Sequence, residues 1–139
     1  MAKIYTAPFA QTPKTLSVAV TAALAGLGTD AVTGAVLLVT AGADGAIVTS
    51  VSAIPRATVT ASSLVLFLVK SATPTIYRPV DSVLMTAYTL AATTAVPVTS
   101  FALIGDATPM RLEAGDKLYA GSQVALAAGI VFTGRWMDY

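Results

Sequence analysis

Residues 63–70 read Ser-Leu-Val-Leu-Phe-Leu-Val-Lys. In an extended chain successive side chains point to opposite faces, so Leu64, Leu66 and Leu68 share one face and Val65, Phe67 and Val69 the other. A strand apolar on both faces must be covered on both. That requires an interior position between packed layers or at a subunit contact.

Similar pieces lie on either side. Ala35 to Thr40 (Ala-Val-Leu-Leu-Val-Thr) is apolar and β-branched, and also reads as a strand covered on both faces. Ala43-Asp44-Gly45-Ala46 carries the Asp-Gly turn signal, with Gly45 suited to a positive φ, and Ile47 to Ile54 follows as the next strand. Upstream, Lys3 to Ala7 reads as a short first strand stopped by Pro8 and Pro13, and Leu16 to Thr21 as a second. Ala22 to Thr33 is Ala/Gly-rich and without period, hence a loop or a helical turn. Downstream, the pattern predicts strands at Arg56 to Thr60, Thr75 to Arg78, Ser82 to Leu90 and Val96 to Ile104. Arg111 to Glu113 and Lys117 to Ala120 flank the tight turn Ala114-Gly115-Asp116, and Gly129 to Trp136 closes the series. Ala87 to Thr94 and Ser122 to Ala128 are rich enough in Ala for a helical turn. Eight to eleven short strands between Gly, Pro and Asp punctuation predict an all-β fold, an antiparallel, jelly-roll-like β-sandwich. A small closed barrel is the alternative. Residues 1–15 would form an N-terminal arm or edge strand, and 16–139 a single domain.

The composition narrows the chemistry. The 139 residues include 27 Ala and 19 Thr but no Cys, His or Asn. Disulfide frameworks, Cys/His zinc sites and thiolate nucleophiles therefore have no residues to build them. Any general base would be a carboxylate, Lys or Tyr with a shifted pKa. Asp106, Glu113 and Asp116 are the densest carboxylates, but Asp at Gly-containing turns serves local hydrogen bonding, and that reading is taken over a catalytic pair. Tyr77, Arg78 and Asp81 form a second polar grouping, read as a strand exit or a small cluster. No G-x-S-x-G, G-x-G-x-x-G or Walker pattern occurs. The chain reads as non-enzymatic, without cofactor or metal.

Eight basic and seven acidic residues give a net charge of +1. The basic residues are scattered singly, which argues against nucleic acid as a partner. Apolar runs are far shorter than a membrane-spanning helix needs. The mostly apolar stretch 16–28 after Lys14 has some features of an export leader, but the alternation of Leu16, Val18 and Val20 fits a half-buried strand better. A folded monomer of this mass exposes about 6,700 Å². So sparse a charge over that area suits a surface partly buried against neighbours. Both chain ends carry large side chains, where fraying termini are normally small and polar. Ile4, Tyr5 and Phe9 at one end, and Arg135, Trp136, Met137 and Tyr139 at the other, are therefore the predicted interface residues. At least one terminus is expected to cross to another protein.

The segments Leu112-Glu113-Ala114-Gly115-Asp116-Lys117-Leu118-Tyr119 and Ala127-Ala128-Gly129-Ile130-Val131, with the final Asp138-Tyr139, resemble the close of a family of small virion structural proteins of tailed bacteriophages. Gly34 to Gly45 looks like that family's first hairpin, and Leu66-Phe67-Leu68 resembles its central strand. The likeness runs from about residue 34 to 139. Trp136-Met137 stands where small residues are expected. The resemblance implies a capsid decoration or cement protein on the capsid exterior of the virion, with the major capsid protein as partner and a homo-oligomer, a trimer by preference. A head-fibre base, a tail component or a host-surface or carbohydrate-binding module is the alternative.

Overall fold

The computed structural model describes residues 12–139. The expected first strand Lys3 to Ala7, and with it Ile4, Tyr5 and Phe9, lies outside the described residues. Nine strands follow: β1 (Thr12–Val20), β2 (Val36–Thr40), β3 (Ala46–Pro55), β4 (Ser62–Val69), β5 (Arg78–Met85), β6 (Thr99–Ser100), β7 (Met110–Leu112), β8 (Lys117–Ser122) and β9 (Ile130–Asp138). They form two antiparallel sheets. One runs β1-β9-β3-β6, with β7 also paired to β3, and the other runs β2-β8-β4-β5. Neither path closes into a barrel among the described residues.

Alternation decides which side chains meet. Along β9, Ile130, Phe132, Gly134, Trp136 and Asp138 are buried, while the residues between them are partly or fully exposed. On β3 the inward phase shifts from Val48 to Val51, because a bulge between Val48 and Ser50 inserts one residue. Val48, Val51, Ile130, Phe132 and Trp136 join Leu64, Leu66, Met85, Leu118 and Ala120 of the second sheet in one apolar cluster. Burying side chains of this size contributes about 1.5–3 kcal/mol each.

Both strands expected to be covered twice are buried, by different means. In β2 the register shifts between Leu37 and Val39, and Leu38 and Val39 are both wholly buried in the main cluster. A bulge thus turns two consecutive side chains inward, in place of cover on both faces. In β4 the two-sided reading holds. Leu64 and Leu66 belong to the main cluster, whereas Val65 and Phe67 form a second one with Val32, covered by Leu24, Leu27, Ala35, Tyr77 and Tyr119. The cover comes from the chain's own 21–35 loop. Leu24 N–H donates to Ser122 O at 2.8 Å, and Ala25 and Thr33 exchange two backbone bonds of 3.0 Å.

Several elements differ from expectation. The strand expected from Leu16 begins at Thr12 and runs through Pro13. Only Val59, through its bridge to Tyr88, is strand-like within Arg56–Thr60. Thr75–Tyr77 is turn and coil, β5 ends at Met85 rather than Leu90, and of Val96–Ile104 only Thr99 and Ser100 pair. The shortened stretches make only isolated contacts, such as Val59 with Tyr88 and Phe101 N–H with Val51 O, in place of a continuous ladder. Propensity alone does not make a ladder. The two Ala-rich segments hold no helix.

Candidate functional site

The turns at one end of the sheets gather most of the charge. Asp116, at the tip of the β7–β8 turn, is 2 % exposed in its side chain. Its Oδ2 accepts from Lys70 Nζ at 2.6 Å and from Glu113 N–H at 3.1 Å, and its Oδ1 from Ser71 N–H at 3.1 Å. Burial pushes this carboxyl up, but the Lys70 ammonium and the two backbone donors outweigh it and hold the carboxyl below its ordinary value. The bonds to Asp116 and then Glu113, 3.1 Å away, raise Lys70 in turn. Asp116 is thus committed to tying the β4–β5 connection to the β7–β8 turn. Gly115 supplies the left-handed φ of 74° that this turn requires. Asp106, the third carboxylate of the expected group, lies exposed and forms no ion pair among the described residues. Beside the clamp is a recess of about 90 Å³ lined by Lys70, Ser71, Pro74, Lys117 and Tyr119 among others. Among the described residues no three metal-ligating side chains converge.

The Tyr77–Arg78–Asp81 cluster does not form. Arg78 Nε pairs with Asp30 Oδ1 at 2.8 Å. Tyr77 stacks edge-on against Tyr119, with ring centroids 5.0 Å apart. Burial, then the hydrogen bond with Tyr119, raises its phenol above the ordinary value. Asp81 is buried on β5, where one oxygen takes the Ser82 N–H at 2.7 Å and the other has no partner among the described residues.

The C-terminal residues separate by face. Trp136 is buried in the main cluster of its own chain, so this side chain docks inward. Arg135, Met137 and Tyr139 lie on the outer side, with Arg111 donating to the Tyr139 hydroxyl at 3.1 Å. Asp138, which the sequence reading passed over, is buried. It pairs with Lys14 at 2.7 Å and accepts the Gly42 N–H at 3.1 Å. The ion pair ties β1 to β9, and the Gly42 bond ties the β2–β3 turn to β9.

Among the described residues the opposite end is nearly free of charge. The stretches 55–61, 86–98 and 122–129 meet there through Val59–Tyr88, Leu90–Thr58 and Arg56–Gly129 bonds. Arg56 is their one charged residue, and its Nε is bound to Ala128 O at 2.8 Å. Leu90 and Val98 stand exposed in this region, and Leu84 and Leu103 are exposed along the flank. At the outer edge of the first sheet, Leu16 of β1 is 40 % exposed although it shares the inner face with Phe132 and Trp136. The alternation of Leu16, Val18 and Val20 was the sequence signal for this strand, but not for its position at an edge.

Compared with models of known protein families, with curated proteins and with solved structures, the chain matches none.

Proposed function

We propose that this protein is a non-enzymatic structural component of a virion, a decoration or cement protein on the capsid exterior that bridges copies of the major capsid protein. The observation that carries the proposal is the surface. A chain with fifteen formal charges leaves Leu16, Leu84, Leu90, Val98 and Leu103 in solvent and, among the described residues, keeps one end almost uncharged. Such a surface is suited to burial against neighbours. The resemblance of the segments from Gly34 to Tyr139 to small phage virion proteins supplies the identity of those neighbours.

The strand orders support a jelly-roll sandwich as the finer fold. With β6 and β7 taken as one interrupted strand, β1-β9-β3-β6/β7 lies against β2-β8-β4-β5, the interleaved order that two Greek keys produce. Folds of this type occur in capsid and in lectin domains alike, so fold by itself does not choose between them. A host-surface or carbohydrate-binding module is accordingly the second reading.

The mechanism is mechanical. Each subunit buries apolar surface across adjacent capsid proteins, and repetition by symmetry converts modest contacts into avidity. Residues 1–10, with Ile4, Tyr5 and Phe9, would supply one attachment and Arg135, Met137 and Tyr139 another. The test is a comparison of particles with and without the protein. A cement protein is present in many copies and raises the temperature at which particles burst, whereas a receptor module is present in few copies and binds cells in isolation. Unchanged particle binding after removal of residues 1–10 would refute the role given to that segment.

A further inference from the structure

The four sheet edges are not equally guarded. β2 is five residues long and bulged, β6 is two residues long, and β5 carries Pro79, a register shift and the buried Asp81. Short strands, bulges, prolines and inward charges are the devices that stop an edge from pairing with another chain. β1 is different. It pairs with β9 over nine consecutive residues without a shift, and after Pro13 and Lys14 it has neither proline nor charge. Among the described residues its outer side has no strand partner.

The phase of its backbone follows from one bond. Arg56 N–H donates to Gly129 O, so the odd-numbered residues of β9 bond towards β3 and the even-numbered ones towards β1. Thr12, Lys14, Leu16, Val18 and Val20 therefore bond to β9, while the peptide groups of Thr15, Ser17 and Ala19 face the open side. The 2.9 Å contact between the Ser17 and Thr133 hydroxyls agrees, since side chains are closest at non-hydrogen-bonded pairs. Pro13 falls on the open side too, where its missing N–H breaks no bond to β9.

We infer that β1 is a self-complementary edge that pairs antiparallel with β1 of a second copy about a two-fold axis at Ser17. In that register Thr15 lies opposite Ala19 of the other copy and Ser17 opposite its equivalent, giving about six ladder hydrogen bonds. Leu16 then faces Val18 across the seam, twice, on the inner side where Leu16 is now exposed. The ladder also stops itself at both ends. The next bonded pair joins Pro13, which has no N–H, to Thr21, whose carbonyl already accepts from Leu126 N–H at 3.0 Å. A two-fold contact of this kind links copies in neighbouring oligomers rather than closing a trimer. It does not depend on which particle the protein decorates.

The 139 residues include no cysteine, which makes the test clean. Sedimentation velocity from micromolar concentrations upward should show self-association. Ser17→Ala, which keeps the N–H, should preserve it, and Ser17→Pro should weaken it at least about tenfold. Ser17→Cys should be joined into a covalent dimer by a short bifunctional thiol reagent, because such opposed residues lie about 5.5 Å apart at Cα. Leu84→Cys, on β5, should not. A Ser17→Pro chain that unfolds leaves the cross-linking result to decide. The inference is overturned by a wild type that stays monomeric, by association that folded Ser17→Pro leaves intact, by failure of Ser17→Cys to cross-link, or by association that is lost only when residues 1–10 are removed.

Discussion

Leu24 seats its side chain directly over the α-carbon of Gly121. A β-carbon at Gly121 would collide with Cδ2 and Cγ of Leu24, so the two residues fit only because one of them has no side chain. Through this contact the 21–35 loop lies against the outer face of the second sheet and covers Val65 and Phe67. The most apolar strand of the chain is thereby buried on both faces within one subunit.

Gly121→Ala should therefore destabilise the fold by about 1–3 kcal/mol, the cost of overpacking a filled site. Leu24→Ala should cost about 1–2 kcal/mol through lost burial. The double variant should cost less than the sum, since the smaller side chain at position 24 makes room for the new methyl. Urea unfolding of the three variants measures this coupling.

Asp116 sets a pH dependence. Its carboxyl lies below its ordinary value in the folded state, so its stabilising bonds are fully present above the usual carboxylate range and are lost as pH falls through the folded value. Asp116→Asn should cost about 1–3 kcal/mol at pH 7, where a charged acceptor of three hydrogen bonds is replaced. The gap between variant and wild type should narrow once the pH falls below about 4. Denaturant midpoints measured at both pH values check the sign.

Trp136 should matter for folding, and its neighbours should not. Trp136→Ala removes a large core side chain and should cost about 3–5 kcal/mol. Trp136→Phe should cost less, because it keeps an aromatic ring and removes a buried indole N–H that has no partner among the described residues. Arg135→Ala and Tyr139→Ala, on the outer side, should stay within about 0.5 kcal/mol. Melting temperatures of the isolated protein separate these classes.

Gly134 faces the bulge of β2. A β-carbon there would stand 3.1 Å from Leu38 Cγ and 3.1 Å from Val39 Cγ2. Gly134→Ala should lower stability by about 1 kcal/mol or more, because both neighbours are wholly buried. Calorimetry of the variant reads this directly.

Local alternation made much of the fold legible. The two faces of residues 64–69, the Asp-Gly turn at Gly45 and the turn at Gly115 are properties of short stretches, and they stand where the pattern put them. What the pattern missed depends on partners distant in sequence. Val96 to Ile104 has strand propensity, but only Thr99 and Ser100 find β3. Pro13 reads as a strand terminator until its nitrogen is seen to lie on the open side of β1. The bulge in β2, which turns Leu38 and Val39 both inward, and the bulge in β3, which moves the inward phase from Val48 to Val51, leave no mark in composition. For the candidate site, the exposed apolar load was legible as a sum. Its distribution, charge at one end and almost none at the other, was not, because residues as far apart as Arg56 and Ala128 come together only on folding.

The central claim is that this chain is a building part held by its neighbours, and the most direct measurement is a side-chain-resolution map of the purified virion. The account predicts density for this chain on the capsid exterior, in a copy number fixed by the lattice, with its uncharged end or its outer edges buried against other subunits. A virion surface without this chain, or the chain present only in a few copies at the tail tip, would contradict it.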